Sequence, residues 1–266
     1  MSNRDDASGL APKRQGNDAF FIGYAGVPAG LRTWLIGIAG LLLAAFAAGS
    51  VLLAATQNDP GPGAFQWDAG VQTVTGVIET RPYPVLHASP SAAFPQGHGY
   101  LLSGDGKRGV QGAAGPLDGQ LVEARGFLIK RGSLDMLQLG GDDGLRLSPT
   151  LNVAPARAPI PVDFGRWRIK GEICDGKCAA GAMRPGTGLA HKACANLCLI
   201  GGAPPVLVTA APVAGSSFFL LGGPAGEPLP ARILDYVAVP IEVEGRIERR
   251  GDLTVFKLDP ATLRVP

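Results

Sequence analysis

The sequence predicts a mainly β protein: a single N-terminal transmembrane helix followed by two small β-barrel domains, the second carrying a Cys-rich helical insertion. Three observations lead there. A run of 21 residues without a charge sits near the N-terminus. The chain beyond it is cut by glycine and proline into short runs rich in β-branched residues, the pattern of an all-β domain. One stretch of sequence also recurs 119 positions later, the mark of an internal repeat.

The charge-free run, LIGIAGLLLAAFAAGSVLLAA, covers 35–55. At about 1.5 Å of rise per residue, a helix of this length crosses a hydrocarbon core of about 30 Å. Arg32 and Trp34 stand at its start and Gln57, Asn58 and Asp59 close it. A cleaved signal peptide fits less well, because the run exceeds the roughly 7–15 apolar residues of a signal core. Residues 1–34 form a tail on the near side of the span. Its first 18 residues are polar and aperiodic, which predicts disorder. Phe20, Phe21 and Tyr24 follow, and read either as an aromatic anchor at the membrane interface or as a docking segment for a partner. Within the span, Gly40, Ala44 and Ala48 fall on one helix face. Small residues at that spacing let a partner helix approach closely, although alanine-rich spans are common without one.

Charge gives the orientation. Arg4, Lys13, Arg14 and Arg32 precede the span, and the next basic residue after it is Arg81. The positive-inside rule therefore places the N-terminus in the cytoplasm and everything after residue 56 outside. In a bacterial inner membrane that side is the periplasm. The expected partners are the lipid bilayer and an integral membrane protein complex. A net charge of +2 with 17% charged residues argues against nucleic acid, which calls for a basic footprint.

After a linker at 56–70, the first domain covers 71–147 and the second 164–266, with a Pro- and Ala-rich linker at 148–163 between them. The repeat carries this division. VEARGFLIKRGSLDMLQL at 122–139 aligns with IEVEGRIERRGDLTVFKL at 241–258, with Glu123/Glu242, Gly126/Gly245, Arg131/Arg250, Gly132/Gly251, Leu134/Leu253 and Leu139/Leu258 identical. Each copy reads as a hairpin turning at Arg-Gly-Ser or Arg-Gly-Asp. Upstream, VTGVIET matches IKGEICD at an offset of 95, and Pro84-Val85-Leu86 matches Pro205-Val206-Leu207 at 121, so the second copy carries 26 extra residues between its first two strands.

Five short strands per copy, ordered long, short, short and then a long hairpin, resemble the OB-fold, a five-stranded partly open barrel. The alternative is one larger barrel or sandwich. The resemblance is to a superfold and implies no function by itself. OB-folds often bind oligonucleotides, but aromatics here total 6% and no basic stripe interleaves with them as a stacking groove needs. Lys107, Arg108, Lys130 and Arg131 read as solvated turn charges. His87 and His98, in the loop HASPSAAFPQGHG, read as solvated too. No nucleophile-elbow or metalloprotease motif appears, so no catalytic residue is assigned.

The insertion, 174–202, holds all four cysteines, Cys174, Cys178, Cys194 and Cys198, together with His191. A short helix is expected over 189–200, stopped by Gly201-Gly202. It would place His191, Cys194 and Cys198 on one face. Three readings stand. An even number of cysteines outside the cytoplasm predicts two disulfides joining Cys174 and Cys178 to Cys194 and Cys198. CxxxC…CxxxC with a histidine also supplies ligands for one zinc, copper or iron ion. A redox-active dithiol would want CxxC at a helix start, which is not the spacing here. The segment resembles a stretch in uncharacterised bacterial membrane-anchored envelope proteins, GEI-x-D-x-KC…PG-x-G…H-x-x-CA-x-x-C…GG-x-PP. That resemblance implies Cys178, His191, Cys194 and Cys198 as the shared set, with Cys174 less so. Together these features predict a non-enzymatic accessory subunit of a respiratory or photosynthetic type of electron-transport complex. The alternatives are a periplasmic metal-binding or electron-transfer protein, and a thiol-disulfide oxidoreductase.

Overall fold

The computed structural model describes residues 27–56, 60–149 and 158–266. Phe20, Phe21 and Tyr24, and residues 150–157 of the expected linker, lie outside the described residues. The chain divides into two compact units between Gln57 and Asn58.

The first unit contains helix α1, Ala29–Thr56, which is long and apolar enough to cross a membrane. It starts six residues before the charge-free run. The Pro28 carbonyl accepts the amides of Leu31 at 3.0 Å and Arg32 at 3.2 Å, so proline opens the helix where its missing N–H costs nothing. Arg32 ends an apolar count but does not interrupt backbone hydrogen bonding.

In the second unit the chain opens with β1 (Ala64–Phe65), inside the stretch expected to be linker. A five-stranded barrel follows, made of β2 (Val71–Glu79), β3 (Val85–Ala88), β4 (His98–Ser103), β5 (Leu121–Arg131) and β6 (Leu134–Leu139), with the short helix α2 (Gln111–Ala114) between β4 and β5. The order around the barrel is β2-β3-β4-β6-β5, closed by pairing of β5 with β2. Only β4 and β6 run parallel. β1 and β7 (Leu145–Leu147) add to β5. The second barrel repeats the plan with β8 (Val162–Asp175), β9 (Pro205–Val213), β10 (Ser216–Gly222), β11 (Pro240–Arg250) and β12 (Leu253–Leu258), and α3 (Lys192–Ile200) lies between β8 and β9. β9 begins at Pro205, a proline at the first position of a strand, where no ladder donor is lost.

The repeat holds at the level of register. Gly76 pairs with Val122 as Gly171 does with Ile241, and Ile78 pairs with Leu86 as Ile173 does with Leu207. Leu101 pairs with Met136 as Leu220 does with Val255. Two closed five-stranded barrels of this kind are compatible with OB-like domains. The shared glycines have a steric reason. A Cβ on Gly126 would lie 2.0 Å from the Gln138 carbonyl oxygen, and one on Gly245 2.4 Å from that of Lys257. Gly126→Ala and Gly245→Ala should therefore each destabilise the protein by about 1–3 kcal/mol, as overpacking does. Urea midpoints would read this, and unchanged midpoints would contradict the close strand crossing.

Each barrel has its own core. Ile78, Leu86, Leu102, Val122 and Leu137 fill the first, and their repeat partners Ile173, Leu207, Leu221, Ile241 and Phe256 fill the second. A third cluster joins the two barrels. Val85, Leu101 and Met136 meet Val206, Leu220 and Val255, which are again repeat partners. Each barrel thus offers the outer face of the same three strands to the other, a self-complementary arrangement like that of a twofold dimer. It explains why β4 is buried from Gly99 to Ser103 without alternation, since both of its faces are covered.

Two sequence expectations fail at this seam. His87 is buried in β3 and its Nε2 lies 2.7 Å from Glu79 Oε2. His98 is wedged between the barrels, Nε2 2.8 Å from Asp135 and Nδ1 bonded to Asp252. Neither is a solvated loop histidine. The Ser/Pro-rich segment ends where β4 begins, and β4 carries His98 inward.

Candidate metal centre

The insertion is built from short pieces with defined ends. Asp175 closes β8, and its Oδ1 accepts the Cys178 amide at 2.8 Å, the bond an N-cap carboxylate makes to the following turn. That turn, Cys178–Ala182, breaks at Gly181, whose φ is 122°, a conformation open only to glycine. The chain then loops back to Gly188, whose N–H donates to Glu172 Oε1 at 2.6 Å. The expected helix over 189–200 consists of a 3-10 turn, Leu189–His191, leading into α3. Gly202, with φ of 95°, stops it, and Ala203 N–H returns to the Cys198 carbonyl, as helix C-termini commonly do.

These pieces bring two overlapping ligand sets together. The sulfurs of Cys178, Cys194 and Cys198 all lie within 4.8 Å of one another, as do ligand atoms of Asp175, Cys178 and His191. Either set could hold a metal ion. His191 is 1% exposed, and its Nε2 lies 3.1 Å from Asp175 Oδ2. A proton on Nε2, facing the carboxylate, leaves a bare lone pair on Nδ1. That atom is buried and has no hydrogen-bond partner.

Lysines surround the cluster. Lys107, from the turn after β4 of the first barrel, donates to Cys194 Sγ at 2.7 Å and reaches Cys198 Sγ at 3.7 Å. The bond to Cys194 and the neighbouring thiols raise the Lys107 pKa above its ordinary value. Cys198 is held below the usual thiol range, first by a hydrogen bond from Cys178 and also by the Lys107 charge. The same hydrogen bond pushes Cys178 upward. Lys177 is buried and donates at 2.8 Å to the carbonyls of both Gly104 and Gly106, which shapes the turn that carries Lys107. Gly109 N–H donates to Gly201 O at 2.8 Å and Gln111 Nε2 to Gly202 O at 2.5 Å. A Cβ on Gly201 would lie 1.8 Å from the Lys107 carbonyl oxygen. The first barrel therefore grips the end of α3 backbone to backbone.

Cys174 stands apart. It lies in β8, packs into the seam cluster, and donates to Glu172 Oε1 at 3.2 Å. Burial and then the Glu172 charge push its thiol far up, so it is inert. The two expected disulfides are not formed, and all four cysteines are free. Cys174 faces the seam while the other three sulfurs converge, so two strand-to-helix pairs have no geometry to form from. Gly40, Ala44 and Ala48 lie on α1, with nothing within 4 Å of a Cβ built on Gly40.

Three participants were not singled out from sequence. Asp175 and Lys177 both occupy fixed positions of the pattern GEI-x-D-x-KC, which was the available signal. Lys107 is 87 residues from Cys194 and looked like any turn lysine. No protein-family model, curated protein or solved structure matches the chain.

Proposed function

We propose that this is a membrane-anchored protein whose β-barrel unit carries one metal ion on Cys178, Cys194, Cys198 and His191. The carrying observation is the convergence of the Cys178, Cys194 and Cys198 sulfurs, with Cys178 shared by a second set that holds His191, whose buried Nδ1 has no hydrogen-bond partner. Metal-ligating histidines usually give their second nitrogen to a carboxylate, and Asp175 occupies that position. Three thiolates and an imidazole favour zinc, copper or iron over calcium or magnesium. Three thiolates on a divalent ion leave one negative charge, which Lys107 is placed to offset. Four protein ligands leave no open position for a substrate, as in structural rather than hydrolytic sites. Zinc would make the centre structural, and iron or copper would make it electron-carrying.

A second reading concerns the whole chain. An apolar helix with no buried residue favours a role as the periplasm-facing accessory subunit of an integral membrane complex in a bacterial inner membrane. Two measurements test these proposals on full-length protein extracted without chelator. Elemental analysis should find close to one such metal per chain, reduced by His191→Ala. Four freely titrating thiols with no metal would overturn the centre. Migration as a lone monomer in mild detergent would overturn the subunit reading.

A further inference from the structure

Lys107 and Cys194 are closer than their chemistry requires. An N–H···O bond settles at about 2.9–3.0 Å, and sulfur is larger than oxygen, yet Lys107 Nζ lies 2.7 Å from Cys194 Sγ. The pair comes from different barrels, and both partners are fixed. Lys177 and Gly109 anchor the turn that carries Lys107. Cys194 is held by α3, whose end is gripped at Gly201 and Gly202. The Lys107 side chain is exposed, so a dissolved oxidant can reach the gap, and the second sulfur, Cys198, lies 3.7 Å from the same nitrogen.

We propose that Lys107 and Cys194 form a reversible N–O–S crosslink with dioxygen, a covalent strap between the two barrels. Counted as amine plus thiol, which has the same atoms as the ammonium–thiolate pair, nitrogen and sulfur each give up one hydrogen. Dioxygen supplies the bridging oxygen, and its second oxygen leaves as water with those two hydrogens. Nitrogen and sulfur are each oxidised by two electrons, and dioxygen accepts the four. Two equivalents of a dithiol, each oxidised to its disulfide, supply the four electrons and four protons that return the amine and the thiol and release the bridging oxygen as water. Cys194 cannot be crosslinked and serve as a metal ligand at the same time, so the strap belongs to the metal-free state of the site proposed above. Its chemistry does not need the ion.

The test uses full-length protein treated with chelator and reductant, freed of both, and then held in air. The crosslink consumes one thiol, whereas a disulfide consumes two. Three of the four cysteines should therefore remain titratable. Digestion should yield a single species joining the Lys107 and Cys194 peptides, heavier than their sum by one oxygen less two hydrogens. Dithiothreitol should abolish it, and Lys107→Arg, which keeps the charge but offers no amine, should prevent it. Four remaining thiols, or an even loss with only Cys–Cys linked peptides, overturns the proposal. Metal content read before chelation keeps the two proposals separate. A strap without metal removes only the metal centre, and metal without a strap removes only the crosslink.

Discussion

Cys178→Ala should lose the bound metal and release the insertion while leaving both barrels folded. Cys178 is common to both ligand sets, so its removal breaks either one. Replacing an outer-shell partner of a metal site typically costs about 10–100-fold in affinity, and loss of a ligand should exceed that. The structural effect follows from length. α3 has nine residues, and a helix this short is marginal on its own. Without the centre it would depend on the grip of the first barrel and a few apolar contacts. Hydrogen exchange over 176–203 should accelerate strongly, and that over 104–111 should follow because Lys107, Gly109 and Gln111 lose their footing. Strands β2 and β3, remote from the insertion, should keep their protection. Unchanged exchange in the insertion alongside full loss of metal would show that packing alone holds it.

The second large effect is expected at His98. Burial alone would lower its pKa, but hydrogen bonds to Asp135 and Asp252 and their charges outweigh it and raise the value to about 9. Lys130 shares Asp135 at 3.2 Å, Phe94 stacks on the imidazole, and Tyr100 meets its edge. The folded pKa lies above the ordinary 6.5, so the folded state binds the proton more tightly. The resulting stability is fully present below pH 6.5 and is lost as the pH rises through about 9. A gap of that size corresponds to about 3 kcal/mol. Asp252 works in the opposite sense. Desolvation raises it, but His98 more than compensates and leaves its pKa below the ordinary value, so its contribution is lost as the pH falls below about 4. His98→Ala leaves the buried Asp135 with Lys130 as its remaining cationic partner and should cost about 1–3 kcal/mol near neutrality, as losing one hydrogen-bond partner of a buried group does. Urea unfolding of wild type and His98→Gln between pH 6 and 10 separates the contributions. The wild type should lose stability across that range and the variant much less. Parallel curves would exclude His98 as the origin.

Some of this was legible in the sequence for identifiable reasons. The hairpins at 122–139 and 241–258 could be aligned because a tight turn and a strand crossing both demand glycine, which leaves Gly126, Gly132, Gly245 and Gly251 as fixed marks. The equivalence of β4 and β10 was hidden, because only the Leu-Leu pair at 101–102 and 220–221 is shared between them. The seam was hidden too. A strand with both faces buried shows the same apolar run whether its outer face meets a helix, a sheet or a lipid. His98 looked solvated because its neighbours Pro95, Gln96 and Gly97 speak for a loop, while its partners Asp135 and Asp252 are remote in sequence. At the candidate site the sequence named the cysteines and His191 but could not choose among pairings. That choice depended on Cys174 facing the seam and on a lysine supplied by the other barrel.

The pseudo-twofold seam is symmetric in its apolar contacts but not in its charges. At the repeat offset, Asp252 corresponds to Ser133, Asp135 to Thr254 and His98 to Ser217. The carboxylate–imidazolium–carboxylate bridge therefore has no counterpart at the repeat-related positions. Phe218, at the repeat position of Gly99, instead carries the Arg131 guanidinium 5.6 Å from its ring, a contact with no titrating proton near neutrality. An alkaline medium would thus release one fastening of the seam while the Gly109–Gly201 and Lys177 bonds between the barrels stay closed, so the barrels would loosen on one side without coming apart.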